Sequence, residues 1–229
     1  KSLLIAPEAG HGDMIQFCRY AAVLKARGAA RIGVVAHPAL RTLFAHLRDV
    51  DAVFSAAETL PASGWDFWSP PLSLPHYCAT RLDIIPADIP YLSADPQKLA
   101  AWAKALDGEK RRVGLAWKGN PRFENDADRS LPSLDVLVPL GAVSGVQFVS
   151  LQKGAGEDEA RHPPAGLNIL PLGECSAAFS DTAAIIAQLD LVISVDTAVA
   201  HLAGALGKPC WVLLPDYQTD WRWLTGRED

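Results

Sequence analysis

Three groups of residues have types and spacing that could do chemistry. The first is GHGD, residues 10–13, where Gly10, Gly12 and Asp13 stand between the apolar run SLLIA and a helix-patterned segment. A carboxylate left bare by glycines can take the proton of an attacking hydroxyl, the work of a general base. The same residues also suit a plain strand-to-helix turn with Asp13 as the helix N-cap. The second stretch is LVISVDTAVAHLAGALGKP, residues 191–209. A buried strand ends at Val195, Asp196 is read as the cap, and a helix starts at Thr197. Free amides and a positive dipole end at such a point suit a phosphate. Val199, Leu202, Ala203 and Leu206 form the packing stripe, whereas Thr197 and His201, four apart, share the other face. Without a ligand this is a capped helix carrying an exposed histidine. The third group lies in two polar loops after strands: Lys118, Asn120, Arg122, Arg129 and Ser130 in residues 116–132, and Gln152 and Lys153 in residues 150–159. Cations there could meet phosphate oxygens, or simply face solvent.

Other chemistries find no support. There is no phosphate-binding G-x-x-x-x-G-K-[ST] loop, no dinucleotide fingerprint and no G-x-S-x-G elbow. The cysteines, Cys18, Cys78, Cys175 and Cys210, stand far apart without C-x-x-C spacing, which points to a reducing compartment. His11 and Asp13 have no further spaced ligands to make a metal site. The chain has 229 residues, 49% hydrophobic and 21% charged, with net charge −5, an ordinary globular profile that argues against a nucleic-acid polymer as partner. No apolar run approaches the ~18 residues needed to span a bilayer. The start at Lys1 and the stop at WRWLTGRED suggest a fragment of a longer protein.

The elements that must position these residues alternate between strand and helix. Residues 2–6, 30–36 and 51–54 read as strands, with helices after Asp13 and over 38–48. Residues 58–91 are irregular, rich in proline, with the aromatics Trp65, Phe67, Trp68 and Tyr77. After a linker at 92–97 and a helix, a second series follows. Its strands are 112–117, 146–152, 168–172, 190–195 and 209–215, and its helices 131–140, 180–189 and the one from Thr197. The tryptophans at 211, 221 and 223 read first as packing, although PDYQTDWRW lies just past a strand end and could line a pocket. Continuous apolar strands between helices make parallel sheets covered on both faces. The expected fold is α/β: two Rossmann-like parallel-sheet domains, residues 1–92 and 93–229, facing a cleft.

At this point GHGDMIQFCRY resembles the G-x-G-D segment of bacterial heptosyltransferases, the family 9 glycosyltransferases. SVDTAVAHLAGALGKPCWVLLP resembles their Asp-Thr-(Gly/Ala)-x-x-His segment. The chain is more similar still to the glycosyltransferase-like domains at the C-terminal end of bacterial tetratricopeptide-repeat proteins, where SLQKG and DWRWL also belong. The likeness runs over residues 2–36 and 112–226 and is poor between 50 and 100. It implies a GT-B fold and an inverting, metal-independent transfer from a nucleotide-diphosphate sugar, ADP-heptose among them, to a glycan, lipopolysaccharide or other lipid-linked acceptor. No cofactor beyond that donor is implied. By the same resemblance Asp13 is the general base, with Gly10, Gly12 and Gln16 on the acceptor side. The amides of Thr197 and Ala198 hold the donor pyrophosphate while Asp196 orients the turn. Lys118, Asn120 and Arg129 meet the leaving diphosphate, Gln152 and Lys153 lie near the nucleoside, and His201 belongs to the pocket. The implied setting is the cytoplasm, peripheral to the inner membrane, with an upstream tetratricopeptide-repeat region. Two departures stand out: Ala198 replaces a glycine, and His11 sits where a small or apolar residue is usual. Three other readings keep the fold: a scaffold without a donor that uses residues 65–77 as an interaction surface, a protein glycosyltransferase, and a sugar-nucleotide epimerase.

Overall fold

A computed structural model describes residues 1–60 and 63–224; Pro61, Ala62 and the tail 225–229 of the expected second domain lie outside the described residues. The apolar runs form two parallel sheets. The first holds β1 (Ser2–Ile5), β2 (Arg31–Ala36), β3 (Ala52–Ser55) and β4 (Phe67–Ser69) in the order β3-β2-β1-β4. The second holds β5 (Arg111–Ala116), β6 (Val146–Ser150), β7 (Ile169–Leu170), β8 (Leu191–Val195) and β9 (Cys210–Leu213) in the order β7-β6-β5-β8-β9. In each sheet the order reverses beside the first strand, between β1 and β4 and between β5 and β8. Open α/β sheets bind ligands at the carboxyl ends of strands flanking such a reversal. Asp13 follows β1, the Lys118 loop follows β5, and Thr197 follows β8.

The helices are α1 (His11–Phe17), α2 (Tyr20–Ala26), α3 (Arg41–Phe44), α4 (Leu74–Tyr77), α5 (Pro96–Ala103), α6 (Asp126–Arg129), α7 (Phe179–Ile186) and α8 (Ala198–Ala205). Several depart from the sequence reading. The helix expected after Asp13 breaks at Cys18 and Arg19 into α1 and α2. Only residues 41–44 of the 38–48 stretch are α-helical, after a 3₁₀ turn at Pro38–Leu40. The helix expected at 131–140 is instead a 3₁₀ helix over Leu134–Ala142. Pro139 lies inside it and cannot donate the hydrogen bond an α-helix needs. β4 was hidden in the irregular stretch, because a three-residue strand has no period to read. Phe67 and Trp68 on it are exposed, and Trp65 just before it covers Gly33 of β2 so closely that a Cβ there would sit 2.5 Å from the ring.

One hydrophobic core joins the two sheets. Ile5, Met14, Ile15 and Val34 from the first half and Leu151, Ile185, Val192 and Leu202 from the second pack in a single cluster. A smaller cluster, with Val113, Leu115, Trp117, Leu134 and Phe148, belongs to the second sheet alone. Polar ties brace this seam and the second half behind it. The N–H groups of Tyr91 and Leu92 both donate to the Ala205 carbonyl, at 3.0 and 3.1 Å. Asp181 accepts from Ala177 and Ala178 at the start of α7 and also from Lys98 of α5. Thr42 and Ser180 share a hydroxyl hydrogen bond of 2.9 Å. No helix among the described residues is long and apolar enough to cross a membrane.

Candidate active site

The loop after β1 delivers Asp13 to the seam between the halves. Gly10 is the N-cap of α1, with extended backbone, and Asp13 is the third residue of the helix rather than the cap expected for it. Its Oδ2 turns back to accept the Gly10 N–H at 3.0 Å. Its Oδ1 accepts from Arg222 Nη1 at 2.7 Å. The same Nη1 donates to Gln16 Oε1 at 3.2 Å, so Asp13 and Gln16, one turn apart on α1, share one cation. Arg222 sits in the 3₁₀ turn Trp221–Trp223 after β9 and is held there by Asp220. Asp220 accepts from Nε at 3.0 Å on each oxygen and from Nη2 at 2.6 Å. Those bonds hold the Asp220 carboxyl below the usual carboxylate range, and they raise the affinity of Arg222 for its proton despite its burial.

The opposite wall is the start of α8. Thr197, not Asp196, is its N-cap: the Thr197 backbone is extended and its Oγ1 accepts the Val199 N–H at 3.3 Å. Ser194 Oγ, at the end of β8, lies 3.1 Å from the same hydroxyl and steadies it. The amides of Thr197 and Ala198 have no protein acceptor among the described residues. Asp196 faces His201 instead, 3.9 Å from Nε2. His201 is not exposed as its place on the polar face suggested. Only 15% of its side chain meets solvent, and its ring stacks on Trp223 at 5.1 Å between centroids. Burial lowers its pKa from the ordinary 6.5, against the opposing pull of Asp196.

Gly12 explains how close the walls come. A Cβ on it would lie 2.8 Å from His201 Cδ2 and 3.5 Å from Ala198 Cα. The glycine thus admits helix α8, where the sequence suggested that it cleared a path for substrate. This contact makes Gly12, the residue before Asp13, and Ala198 near neighbours across the seam. His11 is only partly exposed, with its ring edge-on to His37 at 5.1 Å and beside Phe179.

The polar loops are braced by their own carboxylates and amides. Lys118 Nζ pairs with Glu159 Oε1 at 2.9 Å. Glu159 also accepts from Trp117 Nε1 at 3.2 Å and from the Leu134 N–H at 2.6 Å. Gly156 turns the chain into that position with φ of 76°, a left-handed conformation that favours glycine. Gln152 is buried, and both ends of its amide are used. Oε1 accepts from the Trp117 and Lys118 N–H groups, and Nε2 donates to the Lys118 and Ala155 carbonyls, all within 3.0 Å. It pins the loop after β5 to the loop after β6. Arg129 pairs with Asp126 at 3.0 Å and lies over the Phe123 ring. Asn120 closes a turn by accepting the Arg122 N–H, and Lys153 donates to the Glu174 carbonyl. Asp13, Gly12, Gln16, Ala198 and His201 are therefore brought together, whereas Lys118, Asn120, Arg129, Gln152 and Lys153 are engaged within the second half. The cation at Asp13 is Arg222, which the sequence reading passed over. Its one local signal was Asp220 two residues before it, inside a motif that first reads as packing.

Among the described residues no group of three His, Cys, Asp or Glu side chains could hold a metal ion. A groove of about 530 Å³ lies at the opposite ends of β1 and β2, lined in part by Leu3, Leu24, Phe67, Trp68 and Tyr77. Chemically, the seam offers an oriented carboxylate, a guanidinium beside it and, close to Gly12, a helix start whose first amides have no protein acceptor among the described residues.

Comparison with known proteins agrees with this picture. Residues 149–213 match the model of glycosyltransferase family 9 (heptosyltransferase). The chain is 28% identical to Protein FlbA of Caulobacter vibrioides over 243 residues, 93% of this chain and 39% of FlbA, so it spans about two fifths of that curated relative. Its fold matches E. coli ADP-heptose lps heptosyltransferase II with a TM-score of 0.67 at 16% identity, covering 93% of this chain and 84% of that one. It also matches E. coli heptosyltransferase WaaC with ADP, with a TM-score of 0.60 at 18% identity over 93% and 86% of the two chains. The resemblance to family 9 glycosyltransferases is borne out, and with it the GT-B-like pair of parallel-sheet domains.

Proposed function

We propose, from a chain that carries the family 9 glycosyltransferase signature on a heptosyltransferase fold, that this domain is an inverting glycosyltransferase using a nucleotide-diphosphate sugar and no metal. The observation that carries the reading is the close approach of Gly12, the residue before Asp13, to the start of α8. In the reaction the acceptor hydroxyl gives its proton to Asp13 as its oxygen attacks the anomeric carbon. The new carbon–oxygen bond forms on the face opposite the leaving group. The old bond to the β-phosphate breaks, and the nucleoside diphosphate departs with that electron pair. The unpartnered amides of Thr197 and Ala198 suit its oxygens, since donors already fixed in place cost no reorganisation as charge develops. Gln152 and Glu159 keep the loop carrying Lys118 in one shape beside that site.

ADP-heptose is the donor proposed, because one matched structure is named for it and another contains ADP. The acceptor proposed is a glycan or lipid-linked glycan such as lipopolysaccharide core, met in the cytoplasm at the inner membrane, with a tetratricopeptide-repeat region upstream.

The test is calorimetric titration of the full-length protein with ADP, UDP, GDP and CDP. The helix start fixes the control substitution. Ala198 is the first helical residue, where proline is tolerated, so Ala198→Pro removes one amide hydrogen without breaking α8. Thr197 has φ of −143°, which proline cannot adopt. Saturable ADP binding that Ala198→Pro weakens supports the reading, and turnover should then fall by about 10² to 10⁴ in Asp13→Asn. Binding of none of the four by folded protein would sink it. A second reading, a scaffold without a donor, is favoured by one observation. Phe67, Trp68 and Tyr77 are 58%, 70% and 68% exposed around the groove far from Asp13.

A further inference from the structure

Both oxygens of Asp13 are held, but by different means. The bond to the Gly10 N–H is local to α1. The bond to Arg222 comes from 209 residues further along the chain, from the half that would carry the donor. Arg222 is not free to swing. Asp220 grips its Nε and Nη2 and also accepts its backbone N–H at 2.9 Å, which caps the turn. Next to it Trp223 lies flat on His201 of α8, so the turn is seated on the second half before Arg222 reaches the first. The guanidinium fork is thus divided: one side on Asp220, the remaining Nη1 on Asp13 and Gln16.

We infer that Arg222, fixed by Asp220, is the positioning residue for Asp13 and sets the direction in which that carboxylate meets the acceptor hydroxyl. The inference rests on reading Asp13 as the base. A carboxylate oxygen can accept two hydrogen bonds. With Arg222 on one side of Oδ1 and Gly10 on Oδ2, the carboxyl plane is defined and the second lone pair of Oδ1 is left for substrate. Lysine cannot substitute, since a single ammonium on a flexible stem cannot grip Asp220 and reach Asp13 with a planar fork. The base is therefore assembled from both halves of the chain and is aligned only while the 220–223 turn is docked.

Two measurements on the full-length protein test this. The first is a double-mutant cycle of Asp13→Asn and Arg222→Met read as shifts in urea unfolding midpoint, which needs no substrate. A direct contact makes the two shifts clearly non-additive; purely additive shifts overturn the inference. The second is the rate of ADP-heptose consumption, with water as acceptor where no sugar acceptor is known. A misaligned base should lower kcat about 10²-fold in Arg222→Met, with KM for ADP-heptose within about twofold of wild type. Arg222→Lys should not restore it, Asp220→Asn should lower kcat in the same direction, and Arg222→Met should add nothing to Asp13→Asn. An Arg222→Met protein with wild-type kcat overturns the inference, as does one that loses only KM, which would place Arg222 on the donor. Unchanged turnover in Asp13→Asn strikes instead at the reading of Asp13 as base, and the unfolding cycle then decides the contact by itself.

Discussion

His201 is a residue whose type was plain in the sequence and whose surroundings were not. Its spacing from Thr197 put it on the polar face of a helix, and a polar face ordinarily meets water. Here that face meets Gly12 and Trp223, from positions 189 before it and 22 after it. Asp13 was legible for the opposite reason, since the apolar strand and glycines that present it are its own neighbours. Lys118 and Arg129 were legible as cations, but not their capture by Glu159 and Asp126. Arg222 was obscured because its partners are Asp13 and Gln16, and no local pattern records a contact so distant in the chain. The burial of His201 has a consequence for pH. Folded His201 holds its proton less tightly than the unfolded chain does near pH 6.5. Its share of stability is full above that value, begins to fall as the pH drops through it, and levels off below the folded pKa. Unfolding midpoints between about pH 7 and 5 should therefore fall less steeply in His201→Gln than in wild type. Some slope should remain, because burial and the neighbouring His37 also lower the pKa of His11. Equal slopes would mean that folding leaves the pKa of His201 where it stands in the unfolded chain.

Among the elements, the strands were read most reliably, because a parallel strand buried on both faces is written as an unbroken apolar run. RIGVVA and LVISV are of this kind, and β2 and β8 fall within a residue of their expected limits. The short helices were read less well. A hydrophobic stripe continues across Cys18 and Arg19 although the helix does not, and two prolines in LPSLDVLVPL weigh more than its periodicity. The start of α8 was displaced by one residue, since aspartate and threonine both serve as N-caps and only the backbone distinguishes them here. The packing of α1 on α8 provides its own test. Gly12→Ala puts a methyl 2.8 Å from the His201 ring, and overpacking of this sort costs about 1–3 kcal/mol. His201→Ala in the same chain removes the obstacle, so the double variant should lose less than the sum of the two single losses in urea unfolding. Full additivity would mean that the helices do not meet there.

For the whole molecule, the alternation of strand and helix was enough to foresee two sheets. The joining of their cores could not be foreseen, because it depends on which faces meet rather than on any segment's composition. The chain between the sheets is part of this union: Tyr91 and Leu92 both donate to the Ala205 carbonyl in the last turn of α8. Their amides should exchange hydrogen as slowly as those of α8, since opening either requires parting the same seam. Fast exchange at 91 and 92 beside a protected α8 would show instead that the halves hinge freely. The shared core also bears on how such a chain can be inherited. Residues 149–213 carry the family signature, yet the helix within them leans on Gly12 and on the carbonyl contact with the linker. A gene fusion or truncation cut at the linker would cleave the core and leave the Ala198–Ala205 helix with one bare side. Neither sheet can be parted from the other without opening that shared core.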